Sequence, residues 1–138
     1  MKLIVDVNVI LSALIRDSAT RKIILESGQD LYFPEPSLRK IIKYKPLIME
    51  KSGMTEKALF GILARLFTRI KLMPAEGMME KWSNARGIMG HIDEEDVVFI
   101  AAALSIDGSA IWSDDADFER QDKIKVVKTK DMIRMFPD

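Results

Sequence analysis

The chain has 138 residues, a length that suits a single domain spanning 1–138, with 48% hydrophobic and 30% charged residues. It has no cysteine and one histidine (His91), which excludes disulfides, thiolate metal sites and His-rich zinc sites. Net charge is zero, so charge alone does not make it a protein that coats nucleic acid, and no apolar run approaches the ~18 residues of a membrane span.

The start of the chain, KLIVD, is a short apolar segment with two β-branched residues that ends on Asp6. It predicts a buried strand that turns straight into a helix over residues 8–15, and no leader pattern precedes it. Asp17 or Ser18 is expected to cap a helix over 19–27, ended by Gly28. Residues 30–34 (DLYFP) predict a second strand. Pro36 suits the first turn of a helix over 37–45, and Pro46 interrupts that helix before a continuation to Ser52 and Gly53. Thr55 is expected to cap a helix over 56–68, with Leu59, Ile62, Leu63 and Leu66 on one face. Residues 69–73 (RIKLM) predict a third strand, stopped by Pro74. A helix over 76–89 follows, weakened at its end by Gly87 and Gly90.

Asp93 is expected to cap a helix over 94–105 with the stripe Val97, Ile100, Ala101 and Leu104. Residues 109–113 and 124–128 predict the fourth and fifth strands, and Thr129 a cap for a last helix through Phe136. Strands separated by helices call for an α/β fold with a mostly parallel sheet covered on both faces and right-handed crossovers. The strand order is open at this point.

Charge is unevenly placed along this frame. Residues 92–119 hold nine carboxylates and no Lys or Arg, in two knots, 93–96 and 114–117. Residues 37–71 hold nine Lys or Arg against two Glu, a balance of 9 − 2 = +7. The basic stretch reads first as solvated helix faces and second as an arm for a polyanion beside an acidic pocket.

If strands one and four are neighbours, Asp6, the 93–96 knot and the 114–117 knot meet at the carboxyl edge of the sheet, where open α/β sheets bind ligands. Carboxylates without His or Cys partners suit Mg²⁺ or Mn²⁺, and metals held this way serve phosphoryl chemistry. Asp93, Glu94 and Glu95 also have a simpler reading as complements to a helix dipole. Asp114 and Asp117 are natural turn residues. Asp6, at the end of an apolar strand, favours function. His91 reads as a surface residue and the nine methionines as core and helix filler.

Three segments, LIVDVNVILSAL, DEEDVVFIAAAL and IWSDDADF, occurring in this order, resemble the PIN-domain nucleases, which include the toxin halves of toxin–antitoxin pairs. The resemblance implies a PIN-like fold, a five-stranded parallel sheet flanked by helices on both sides. It implies a cytoplasmic, metal-dependent endoribonuclease that cleaves single-stranded RNA, with Mg²⁺ or Mn²⁺ as cofactor, a homodimeric state and a small antitoxin as partner. Asp6, Asp96 and Asp115 match the family's metal-binding acids, with Asp117 a frequent fourth and Asp93 assisting. Asn8 and Ser113 fall at supporting polar positions. Arg39, Lys40 and Lys43 are candidate contacts to the RNA backbone.

The family usually carries a Glu early in the helix after the second strand. PEPSLRKII puts Lys40 there, after Arg39. That departure keeps open an alternative, a catalytically degenerate PIN-like module that binds RNA or a protein partner. A phosphatase of the haloacid dehalogenase type fits less well, because Asn8 stands where a second Asp is needed and no cap domain fits. Phospho-receiver domains share the early acid and a late Lys (compare Lys128) but lack the DEED-type helix start.

Overall fold

The computed structural model describes residues 1–16 and 18–137. Five parallel strands, β1 (Lys2–Val5), β2 (Asp30–Pro34), β3 (Ile70–Met73), β4 (Ser109–Trp112) and β5 (Val126–Val127), form one sheet in the order β3-β2-β1-β4-β5. β1 pairs with β2 on one side and β4 on the other, with Val5 opposite Trp112. Strands one and four are therefore neighbours.

Among the described residues seven α-helices lie between the strands, α1 (Val7–Ile15), α2 (Ala19–Glu26), α3 (Leu38–Lys43), α4 (Lys45–Ser52), α5 (Glu56–Leu66), α6 (Trp82–Met89) and α7 (Val97–Ser105), and α8 (Thr129–Met135) follows β5. The path steps one way from β1 to β3, then jumps back across the sheet to β4. Right-handed crossovers put α1–α5 on one face and α6–α7 on the other. The reversal opens a crevice between the carboxyl ends of β1 and β4.

Burial explains the frame. Leu3, Ile4 and Val5 are fully buried, as expected of a central parallel strand covered on both faces. In α7, every residue from Val97 to Ala103 is buried, so it is a core helix rather than an amphipathic one. Phe99 stacks edge-on against Phe33 at 6.0 Å and against Phe118 at 6.2 Å, joining α7 to β2 and to the turn after β4.

Several boundaries differ from the sequence expectation. Ser18 caps α2 by accepting from the Arg21 N–H; Asp17, the other expected cap, lies outside the described residues. The segment expected as one helix over 76–89 is a 3-10 run over Ala75–Lys81 followed by α6, with Gly77 closing the first turn onto the Pro74 carbonyl at 3.1 Å. The helix expected over 94–105 likewise begins as a 3-10 turn over Glu94–Asp96. The fifth strand is only two residues long because the Gln121 side chain takes over the preceding backbone. Its Oε1 accepts from Lys123 and Ile124 N–H at 3.0 and 2.8 Å.

Thr129 does not cap α8. Lys128 holds that position, and its N–H donates to the Asp131 carboxylate at 3.2 Å. No helix among the described residues is long and apolar enough to cross a membrane.

Candidate active site

Asp6 stands where β1 becomes α1. Its N–H continues the β1–β4 ladder onto the Trp112 carbonyl at 3.0 Å, while its own carbonyl accepts from Val9 and Ile10 in the first turn of α1. The side chain is 4% exposed. Across the strand boundary, the fully buried Ser113 donates its Oγ–H to Asp6 Oδ2 at 2.7 Å. The same Oγ accepts from the Asp115 N–H at 3.0 Å. One hydroxyl thus ties the first acid to the loop that carries the last ones.

Asp115 opens the 3-10 turn Ala116–Arg120 and accepts from the Asp117 N–H at 2.9 Å. Asp93 opens the Glu94–Asp96 turn and accepts from the Glu95 N–H at 3.0 Å. These are ordinary turn-capping bonds, and each uses one carboxylate oxygen. Three of the acids come together beyond these turns. Ligand atoms of Asp93, Asp96 and Asp117 lie within 4.8 Å of one another.

Asp96 is 8% exposed and its Oδ2 has no hydrogen-bond partner. Among the described residues, only Ser27 Oγ shares that condition. A buried carboxylate oxygen without a donor costs free energy unless a proton or a cation meets it. Burial, reinforced by the charges of Asp93, Asp6 and Asp115 and opposed by Lys40, pushes the Asp96 carboxyl up to about 7. Burial also holds Asp6 above the usual carboxylate range; Asp115 adds to this, while Ser113, the Val7 N–H and Lys40 oppose it. Four acids crowded this way create a local demand for positive charge.

Asp6 and Asp115 are not among the three acids whose ligand atoms converge; they bear on Asp96 through their charge, and Asn8 and Asp114 do not take part. Asn8 is exposed on the first turn of α1, with no side-chain hydrogen bond among the described residues. Asp114 belongs to the fold: its carboxylate accepts from Thr129 N–H at 2.8 Å and Thr129 Oγ1–H at 2.6 Å, tying the loop to the start of α8. The Trp112 indole N–H donates to the same Thr129 hydroxyl at 2.9 Å.

The family model described as PIN domain matches residues 4–133, nearly the whole chain. The chain belongs to the PIN-domain family. No curated protein and no solved structure gives a match. PIN domains are in general nucleases that use divalent metal, so the acid cluster sits in a nuclease-type fold.

The donor set fits such a metal in this PIN domain. All the converging groups are carboxylates, the ligands that hard cations prefer, and one of them presents a buried oxygen that nothing in the protein satisfies. Lys40 does not satisfy that oxygen. Its ammonium pairs with Glu95 at 3.3 Å, on the rim, and makes no other ion pair within 4.0 Å among the described residues. It still lowers the proton affinity of Asp6 and Asp96 through space.

Beside the acids runs a groove of about 830 Å³, with Arg39, Lys40 and Lys43 on one edge and Glu94 and Glu95 on another. Its apolar wall includes Met78, Met79 and Trp82. In the sequence alone the methionines read only as filler. The signal for this wall is three apolar residues around one turn, two of them exposed: Met79 is 70% and Trp82 38% exposed.

Proposed function

We propose that this chain is a metal-dependent endoribonuclease acting on single-stranded RNA. The observation that carries the reading is the unpartnered buried oxygen of Asp96 inside a ring of acids at the sheet's switch point. Asp6, Asp96 and Asp115 would hold one or two Mg²⁺ or Mn²⁺, with Asp93 and Asp117 assisting directly or through waters. A cation bound there supplies polarisation of a phosphate oxygen and a more acidic water.

The chain's own residues do the rest. Ser113 fixes the Asp6 carboxylate and favours its charged form. The Asp93 and Asp115 turn bonds fix both carboxylates, each using one oxygen. Arg39, Lys40 and Lys43 offer positive charge to the RNA backbone on the approach to the acids. Burial of Asp6 and Asp96 keeps their charge little screened by solvent.

A second reading is favoured by one position. With Lys40 where a Glu is usual, the module would bind RNA or a protein partner without cutting. Isothermal titration of Mn²⁺ into wild type and Lys40→Glu, with an RNA cleavage assay on the same samples, separates the two. Binding and cleavage by wild type support the nuclease; activity confined to Lys40→Glu would establish a disabled site.

We extend the nuclease reading to a cytoplasmic toxin of a toxin–antitoxin pair, working as a homodimer and neutralised by a small antitoxin. Growth arrest on expression, relieved by the product of an adjacent short reading frame, tests that extension.

A further inference from the structure

The geometry points to the groove beside the acids as a single-strand subsite. In it an unpaired base stacks on Trp82, and the phosphates flanking that base meet Arg39 and Lys43. The inference rests on the nuclease reading for its direction, since the groove shares Lys40, Glu94 and Glu95 with the rim of the acid cluster.

Three observations support a nucleic-acid strand as the occupant. The first is an exposed aromatic in a concave setting. Trp82 begins α6 and lines the groove together with the buried Met78 and the exposed Met79. A tryptophan of this kind is the usual platform for an unstacked base, because every base has a π-face.

The second is uncompensated positive charge. Arg39 and Lys43 are exposed on α3, and neither has a carboxylate partner among the described residues. The third is that the acids on the groove's other edge are already paired. Glu94 holds Arg86 at 3.2 Å and Glu95 holds Lys40 at 3.3 Å. The charge left over at the groove is positive and faces an apolar wall, which complements a polyanion carrying flat apolar rings. A duplex presents its bases stacked and paired, so it cannot offer one to Trp82.

The protein carries its own reporter. It has two tryptophans. Trp112 is fully buried in β4 with its indole N–H bonded to Thr129, so a fluorescence change on RNA binding reports Trp82. The test titrates oligouridine, a matched RNA duplex and polyglutamate into the full chain in chelator and reads tryptophan emission; the affinity for dye-labelled oligouridine is then measured by anisotropy for wild type, Trp82→Phe, Trp82→Ala and the pair Arg39→Ala/Lys43→Ala.

Oligouridine is expected to quench the emission and to bind about tenfold less tightly to Trp82→Ala, with the Phe variant retaining affinity. The double variant is expected to bind less tightly, with a shallower salt dependence. Unchanged affinity in both Trp82→Ala and the double variant would overturn the subsite, as would equal quenching by the duplex. Quenching by polyglutamate equal to that by oligouridine would assign the groove to acidic polypeptides and also overturn it. Metal-dependent cleavage, measured separately, keeps the two readings apart. Cleavage that Trp82→Ala leaves unaltered rejects the subsite alone; quenching without any cleavage rejects the nuclease alone.

Discussion

Lys40 and Glu95 form an ion pair of 3.3 Å at the rim of the acid cluster, and this pair decides where the charge of Lys40 sits relative to the acids. The ammonium reaches outward to a carboxylate that is 75% exposed, leaving the buried oxygen of Asp96 unmet. Exposed pairs contribute about 0–1 kcal/mol, so the tether is weak and the lysine is easily displaced.

The lysine still competes with a metal through its field. Removing the charge in Lys40→Ala is expected to raise Mn²⁺ affinity about fivefold, and Lys40→Glu to raise it further, about thirtyfold in all, roughly one interaction of about 1 kcal/mol per step. Titration calorimetry on the three proteins checks the order. Equal affinities would show that Lys40 lies electrically outside the centre.

Ser113 offers a different test, because its hydroxyl serves two acids at once. Ser113→Ala removes the donor to Asp6 at 2.7 Å and the acceptor for the Asp115 N–H at 3.0 Å. The loss should cost about 1–3 kcal/mol of stability, read by denaturant unfolding. It should also weaken Mn²⁺ binding, since the bond favours the charged form of Asp6. A variant as stable as wild type would mean that water replaces the hydroxyl.

Much of this architecture was legible in the chain. Strand ends on Asp6 and at Ser113 are visible as apolar runs that stop at polar residues, and the two acidic knots are plain in composition. What the sequence could not supply was adjacency. Only the strand order puts Asp6 beside Ser113, 107 positions away. Nor could it distinguish the roles of neighbours: Asp114 and Asp115 are the same residue type in the same knot, and only the position of Thr129 separates them. Short elements failed for a similar reason. A single side chain, Gln121, supplies the bonds that a longer fifth strand would have made.

The acids set a pH dependence whose sign follows from linkage. The Asp96 carboxyl titrates near 7 in the folded protein, against about 3.9 in an unfolded chain. Between those values the folded state holds the extra proton, so metal-free stability falls as pH rises from about 4 to about 7, by up to about 1.4 kcal/mol per unit from this group. Asp6, also raised, acts in the same direction. Metal-free protein should therefore melt higher at about pH 5.5 than at about pH 7.5, and Mn²⁺ should reverse the order, because it binds the deprotonated acids. Asp96→Asn should raise the metal-free Tm at neutral pH and abolish the Mn²⁺ shift. A flat profile in chelator would show that the cluster is not strained by its own charge.

Asp114 and Asp115 make the sharpest pair for mutation, because they are adjacent and share a charge. Asp114 binds Thr129 through both oxygens, at 2.8 and 2.6 Å, and so secures the N-terminus of α8 and the hydroxyl that receives the Trp112 indole. Asp114→Ala is expected to cost about 1–2 kcal/mol, in the range of a lost helix cap. Metal affinity of the folded protein should be nearly unchanged. Asp115→Ala should do the opposite. It loses the turn bond to the Asp117 N–H, a small structural cost, but it relieves the like charge on Asp6 and Asp96 and removes a carboxylate from the centre. Mn²⁺ binding should fall at least tenfold, while metal-free stability stays close to wild type. Denaturant unfolding and metal titration on both variants read the two effects separately. If Asp115→Ala kept wild-type metal affinity, the centre would have to be carried by Asp93, Asp96 and Asp117, the three acids whose oxygens already converge within 4.8 Å.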